Sequence, residues 1–78
     1  MKINCYAVLA DMLGKTIKIH PVEGMTVGQL LETLKEEYPE AKFVLSKSRI
    51  AQNETFLRNE HVIDCQEDIL LMPPSNGG

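Results

Sequence analysis

One segment constrains the fold more than any other. Thr26-Val27-Gly28-Gln29 carries a helix N-cap with Gln three residues later, the pattern of a capping box. Val27, Leu30, Leu31, Leu34 and Tyr38 then recur at helical spacing and line one face. Pro39 closes the segment, because a proline disfavours helical geometry in the residue before it. Gly28 inside the helix costs about 1 kcal/mol in propensity at most.

The flanking sequence reads as strands. Ile3, Cys5 and Ala7 alternate with Asn4, Tyr6 and Val8, which predicts a half-buried strand. Leu9 to Leu13 predicts a short helical turn stopped by Gly14. Thr16 to His20 alternates again, with Ile17 and Ile19 on one face, and ends at Pro21 and Glu23-Gly24. After the helix comes a loop or short turn around Phe43 to Leu45. Three strand segments follow: Arg49 to Asn53, Thr55 to Leu57 with an extension near Val62, and Asp68 to Met72. Asn53-Glu54 predicts a tight turn between the first two. Strand, strand, helix, strands is an α+β order. It is satisfied by one main helix laid across one face of a small mixed sheet.

The chain has 78 residues. At this size roughly 60–65% of the unfolded surface is buried, enough for one core and too little for a deep cleft. Residues 1–72 are expected to form that domain. Residues 73–78, Pro73-Pro74-Ser75-Asn76-Gly77-Gly78, are expected to leave it as a flexible, extended C-terminal tail. The two prolines cannot donate to a sheet ladder. Six residues at about 3.3 Å each reach roughly 20 Å.

Eight basic and eleven acidic residues leave a net charge of −3. A phosphate ligand needs a basic face, so nucleic acid is not the expected partner. The most basic stretch, Lys42 to Arg58, reads as solvated surface. No apolar run approaches the length of a membrane span, and no membrane partner is expected. Met1 to Ala7 faintly resembles a signal peptide, but Asn4 interrupts it and Asp11 follows soon. Cys5 and Cys65 form no CxxC and no disulfide ladder, which points to a reduced, cytoplasmic home.

A reactive site within the domain is hard to find. His20 and His61 lack ligand spacing, so no metal is expected. Cys5 reads as an inert buried thiol, and Cys65 has no basic neighbour in sequence to activate it. Glu36 and Glu37 read as solvent charges on the outer side of the helix. No phosphate-binding loop or serine nucleophile elbow occurs. What remains is the carboxylate of Gly78 at the tip of a stalk whose last two positions lack side chains. Such a tip fits a narrow slot in another enzyme. A carboxylate is a poor electrophile, so an ATP-using partner has to adenylate it before sulfur or an amine can attack.

Here the chain resembles a family. Tyr6 to Gly14, Met25 to Leu31 and Asp68 to Gly78 are similar to the first strand and short helix, the helix start, and the last strand and tail of a known carrier. This is the small sulfur-carrier subunit of molybdopterin synthase, in the ubiquitin-like β-grasp superfamily that also holds the thiamine-pathway carrier. Pro-Pro, two residues, then Gly-Gly is the specific part. Two positions depart from the pattern. Ala10 and Asp11 stand where a basic residue is common, and Cys65-Gln66-Glu67-Asp68 replaces an Asp-Gly-Asp-Glu turn.

The resemblance implies a cycle. A ubiquitin-activating-type enzyme uses ATP to adenylate Gly78, and a sulfur donor converts it to a thiocarboxylate. The large catalytic subunit of molybdopterin synthase then receives the tail, with sulfur passing to a pterin precursor. No cofactor is bound by the chain, and the catalytic side chains belong to its partners. Tyr6, Val8, Leu70 and Met72 are expected to point away from the helix, and by resemblance Phe56 joins them. Tyr6, Phe56, Leu70 and Met72 are the expected partner interface. The alternatives are a carrier for thiamine or cysteine synthesis, a protein modifier joined to lysines through Gly78, and a plain interaction module.

Overall fold

The computed structural model describes residues 1–74; the tail positions Ser75, Asn76, Gly77 and Gly78 lie outside the described residues. Five strands form one mixed sheet: β1 (Lys2–Cys5), β2 (Thr16–Lys18), β3 (Arg49–Gln52), β4 (Thr55–Leu57) and β5 (Ile69–Met72). Their spatial order is β2-β1-β5-β3-β4. The last strand therefore sits in the middle, parallel to β1 and antiparallel to β3. Among the described residues three α-helices accompany the sheet: α1 (Val8–Leu13), α2 (Val27–Glu37) and α3 (Lys42–Ser46). This is the expected α+β arrangement of the ubiquitin-like β-grasp.

The α2 helix starts where its chemistry predicts. The Thr26 hydroxyl accepts from the Gln29 backbone N–H at 3.2 Å, and the Gln29 side-chain Oε1 accepts from the Thr26 backbone N–H at 2.9 Å. Val27 and Gly28 N–H, which have no partner inside the helix, donate to the His61 and Asn59 carbonyls. Tyr38 leaves helical geometry at φ −127° just before Pro39. Val27, Leu30, Leu31 and Leu34 are buried against Ile3, Cys5, Ile17, Ile50, Ile69 and Leu71 from the sheet. Two layers thus share one core, and α2 covers only one face of the sheet.

Four details differ from the sequence reading. The first strand stops at Cys5, and Ala7 is exposed rather than inward. Ala7 instead turns the chain into α1 at φ 54°, ψ −131°. The segment around Phe43 to Leu45 is helical, preceded by a 3₁₀ turn over Pro39–Ala41. Its helix has only Leu45 fully buried, so apolar periodicity was too short to show it. Val62 does not extend β4 but makes an isolated bridge to Thr26. Finally, the second, third and fifth strands are each shorter by one or two residues than their alternation.

The Asn53-Glu54 turn is as expected. Both residues have positive φ, 51° and 62°, and Gln52 pairs with Thr55 across them. This is the geometry of a two-residue type I′ hairpin, whose twist matches that of the strands.

Candidate functional site: the open sheet face and the root of the tail

Alternation decides which strand residues face away from α2. Ile3, Ile17, Ile50, Ile69 and Leu71 are in the core, so their strand neighbours point to the other side. Register then aligns these neighbours into rows. Thr16, Asn4, Leu70, Ala51 and Phe56 stand side by side across all five strands. Met72 and Arg49 form the next row, toward the C-terminal end of β5. Leu70 and Met72 are half-buried, whereas Phe56 is 50% exposed.

Ala51 shows how this face is built. It is only 4% exposed yet stands outside the cluster packed under α2, on the other face of the sheet. A residue this small lies at the floor between its paired neighbours Leu70 and Phe56. Arg49, two residues away on the same side, places its guanidinium carbon 4.6 Å from the centroid of the Phe56 ring. That is within cation–π range, and it holds a long side chain on the surface.

The tail leaves from the centre of the sheet. Past Met72, Pro73 and Pro74 have no N–H to continue pairing with either flanking strand. Pro73 is half-buried and Pro74 exposed. A concavity of about 630 Å³ surrounds this exit, lined among others by Tyr6, Val8, Phe43, Lys47, Met72 and Pro73. Lys47 Nζ lies 4.7 Å from the centroid of the Phe43 ring. A larger hollow of about 820 Å³ involves Val22–Thr26 and the start of α2. It shares no residue with the exit. It also follows β2, which runs opposite to β1 and β5, so it sits at the other end of the sheet.

Tyr6 reaches the exit by a route that the sequence did not show. It is not a strand residue; the turn at Ala7 leaves it 44% exposed beside Met72 and Pro73. The structure therefore brings Tyr6 and Met72 to one concavity, and Phe56 and Leu70 to one row of the adjoining face. Sequence reasoning missed Arg49, Lys47, Phe43 and Ala51. Alternation around Ile50 puts Arg49 outside, but its place beside Met72 requires the register.

Cys5 is buried, and desolvation pushes its thiol above the ordinary value, away from the reactive thiolate. Cys65 is free and half-buried. Among the described residues no cluster of His, Cys, Asp and Glu could hold a metal ion, and no helix is long and apolar enough to cross a membrane. Glu32 has its carboxyl held below the usual range by a hydrogen bond from Lys35 at 2.8 Å, on the exposed side of α2.

The family model of the ThiS family matches residues 3–78. Solved structures agree on the fold. SAMP1 from Haloferax volcanii is similar with a TM-score of 0.78 at 21% identity, covering 99% of this chain and 97% of that one. A candidate molybdopterin converting factor, subunit 1, from Pyrococcus furiosus gives a TM-score of 0.80 at 19% identity, with 95% of each chain covered. The central position of β5, the tail exit that follows it and the match along nearly the whole chain converge: this protein belongs to the ThiS family of ubiquitin-like sulfur carriers.

Proposed function

We propose that the chain is the sulfur-donating small subunit of a molybdopterin synthase, with Gly78 as its reactive end. The observation that carries this reading is the exit of Pro73-Pro74 from the middle strand, with Ser-Asn-Gly-Gly next in the sequence, within a family of sulfur carriers. One Gly78 carboxylate oxygen attacks the α-phosphorus of ATP on an activating enzyme, and pyrophosphate leaves. Sulfide then attacks the acyl carbon, the bond to the phosphate oxygen breaks, AMP leaves, and loss of the sulfur-bound proton gives the thiocarboxylate. The large subunit then receives the tail, and its side chains move that sulfur to a pterin precursor while water restores the carboxylate. Ser75, Asn76 and Gly77 supply a slim reach, and Pro73 and Pro74 stiffen its base.

Tyr6, Phe56, Leu70 and Met72 form the docking surface in this reading. An apolar, solvent-facing patch next to the tail root is the kind of surface that marks an interface. Met suits a surface shared by two partners, because its thioether adapts to different shapes.

A second reading has one observation in its favour. A fold neighbour, at 18% identity, is the small archaeal modifier protein 1 of H. volcanii. In that case Gly78 ends in an isopeptide bond to lysine. Intact mass from the native host separates the two: a species with one oxygen replaced by sulfur supports the carrier, and high-mass conjugates support the modifier. Deleting Gly78 shortens the reach by about 3.3 Å. It should abolish thiocarboxylate formation with ATP, activating enzyme and sulfide, since misplacement on the order of 1 Å already costs about a hundredfold. Equal loading of the shortened chain, or sulfur on Cys5 or Cys65, overturns the proposal.

A further inference from the structure

Charge is distributed unevenly over the two faces of the molecule. The strand residues that point away from α2 are Lys2, Asn4, Thr16, Lys18, Arg49, Ala51, Phe56, Leu70 and Met72. Three are cations and none is acidic, although the whole chain has a net charge of −3. The helical side carries both signs, with Glu32, Glu36, Glu37 and Glu40 exposed and Lys35, Lys42 and Lys47 among them. Near the open face, Glu54 sits in the β3–β4 turn, and Asp68 precedes β5, where its carboxylate accepts from the backbone N–H of Lys2 at 3.0 Å.

A second observation is independent of this imbalance. Lys2 and Lys18 are exposed and directly opposite each other in the antiparallel β1–β2 pair. Like charges in that position destabilise a sheet. Among the described residues neither ammonium has a salt-bridge partner, and neither has Arg49; the single ion pair there joins Lys35 and Glu32 on α2. The domain therefore holds three cations without a salt bridge around an apolar row, the Asp68 carboxylate beside Lys2 being engaged by a backbone N–H.

We infer that this face is read by charge: the adenylating enzyme presents an apolar centre for Leu70, Ala51 and Phe56, ringed by carboxylates that pair with Lys2, Lys18 and Arg49. The inference rests on the carrier reading and adds the chemistry of the partner's surface. Arg49 is the specificity-determining member. Its guanidinium is already held over Phe56 beside Met72, so less side-chain freedom is lost when a carboxylate engages it. Lys2 and Lys18 act at the other end of the face. They steer the encounter, and a facing carboxylate relieves their mutual repulsion.

The test is ATP–pyrophosphate exchange by the adenylating enzyme of the same cell, with the full chain as substrate. For the unaltered chain, kcat/KM should fall roughly tenfold between about 0.01 M and about 1 M salt, where screening shortens from about 30 Å to about 3 Å. Lys18→Glu and Arg49→Glu should each lose about tenfold at low salt, through KM rather than kcat, and lose most of the salt dependence. Arg49→Lys should recover part of the loss. Lys18→Glu should also melt no lower than the unaltered chain, since it replaces a repulsive pair by an attractive one, which separates weakened docking from misfolding. Normal exchange with both charge-reversed variants overturns the inference and leaves the carrier reading standing. Absence of exchange with the unaltered chain overturns the carrier reading itself, and this inference with it.

Discussion

The guanidinium of Arg49 lies over the ring of Phe56, 4.6 Å from its centroid, on the sheet face that α2 leaves open. The pair joins β3 to β4, and Arg49 is also the register partner of Met72, the last strand residue before the tail. One edge of the proposed docking face is thereby tied to the residue from which the tail departs.

Met72→Asp tests that face. Met72 is half-buried at the end of its strand, so the domain should stay folded. Binding to the activating enzyme and to the large subunit should both weaken by about tenfold or more, the cost of losing one good interface residue. Calorimetric titration of the folded variant checks it, with Met72→Leu as a control that keeps its affinity.

Gln52 is a buried amide that the sequence reading passed over as a strand residue. Its Nε2 donates to the Asp64 carbonyl at 2.8 Å and the Glu67 carbonyl at 3.0 Å, while Oε1 accepts from the Asp64 N–H at 2.9 Å. The loop from Asp64 to Glu67 is thus pinned to β3 before the chain enters β5. Gln52→Ala leaves those backbone groups without their partner and should cost about 2–3 kcal/mol. Urea unfolding measures the loss, and faster hydrogen exchange at the Asp64 amide locates it.

Ala7 holds a backbone conformation that suits glycine, φ 54° with ψ −131°. Ala7→Gly should release the strain and stabilise the domain by about 0.5–1 kcal/mol, net of the greater freedom of glycine in the unfolded chain. For a domain this small, thermal unfolding should shift upward by a few degrees, about 4–8 °C per kcal/mol.

Cys5 makes stability depend on alkaline pH. Burial raises its thiol above the ordinary 9.0. The contribution is fully present below the unfolded value and is lost as pH rises through the folded one, because only the unfolded chain sheds its proton freely. The stability gap between the unaltered chain and Cys5→Ala should therefore narrow above about pH 9, in urea titrations run from neutral to alkaline pH. In the folded state iodoacetamide should label Cys65 and spare Cys5, as read by intact mass.

The elements of this fold that the sequence shows are those set by neighbours along the chain. Thr26 and Gln29 close the capping box within one helical turn, and Pro39 acts on Tyr38 directly. The Asn53-Glu54 hairpin and the inward pattern of Ile3, Cys5, Ile69 and Leu71 are equally local, whereas Ala7, expected inward with them, is exposed. Their physical cause lies in a few adjacent dihedrals and in side-chain periodicity. The tertiary structure alone places β5 between β1 and β3, because pairing across more than sixty residues leaves no local trace. From that register follow Arg49 beside Met72, Ala51 under Leu70 and Phe56, and the opposed pair Lys2 and Lys18. Gln52 likewise looked like any polar strand residue until the loop it holds was folded against it. A strand's alternation says which way each side chain points; only its partners say what stands beside it.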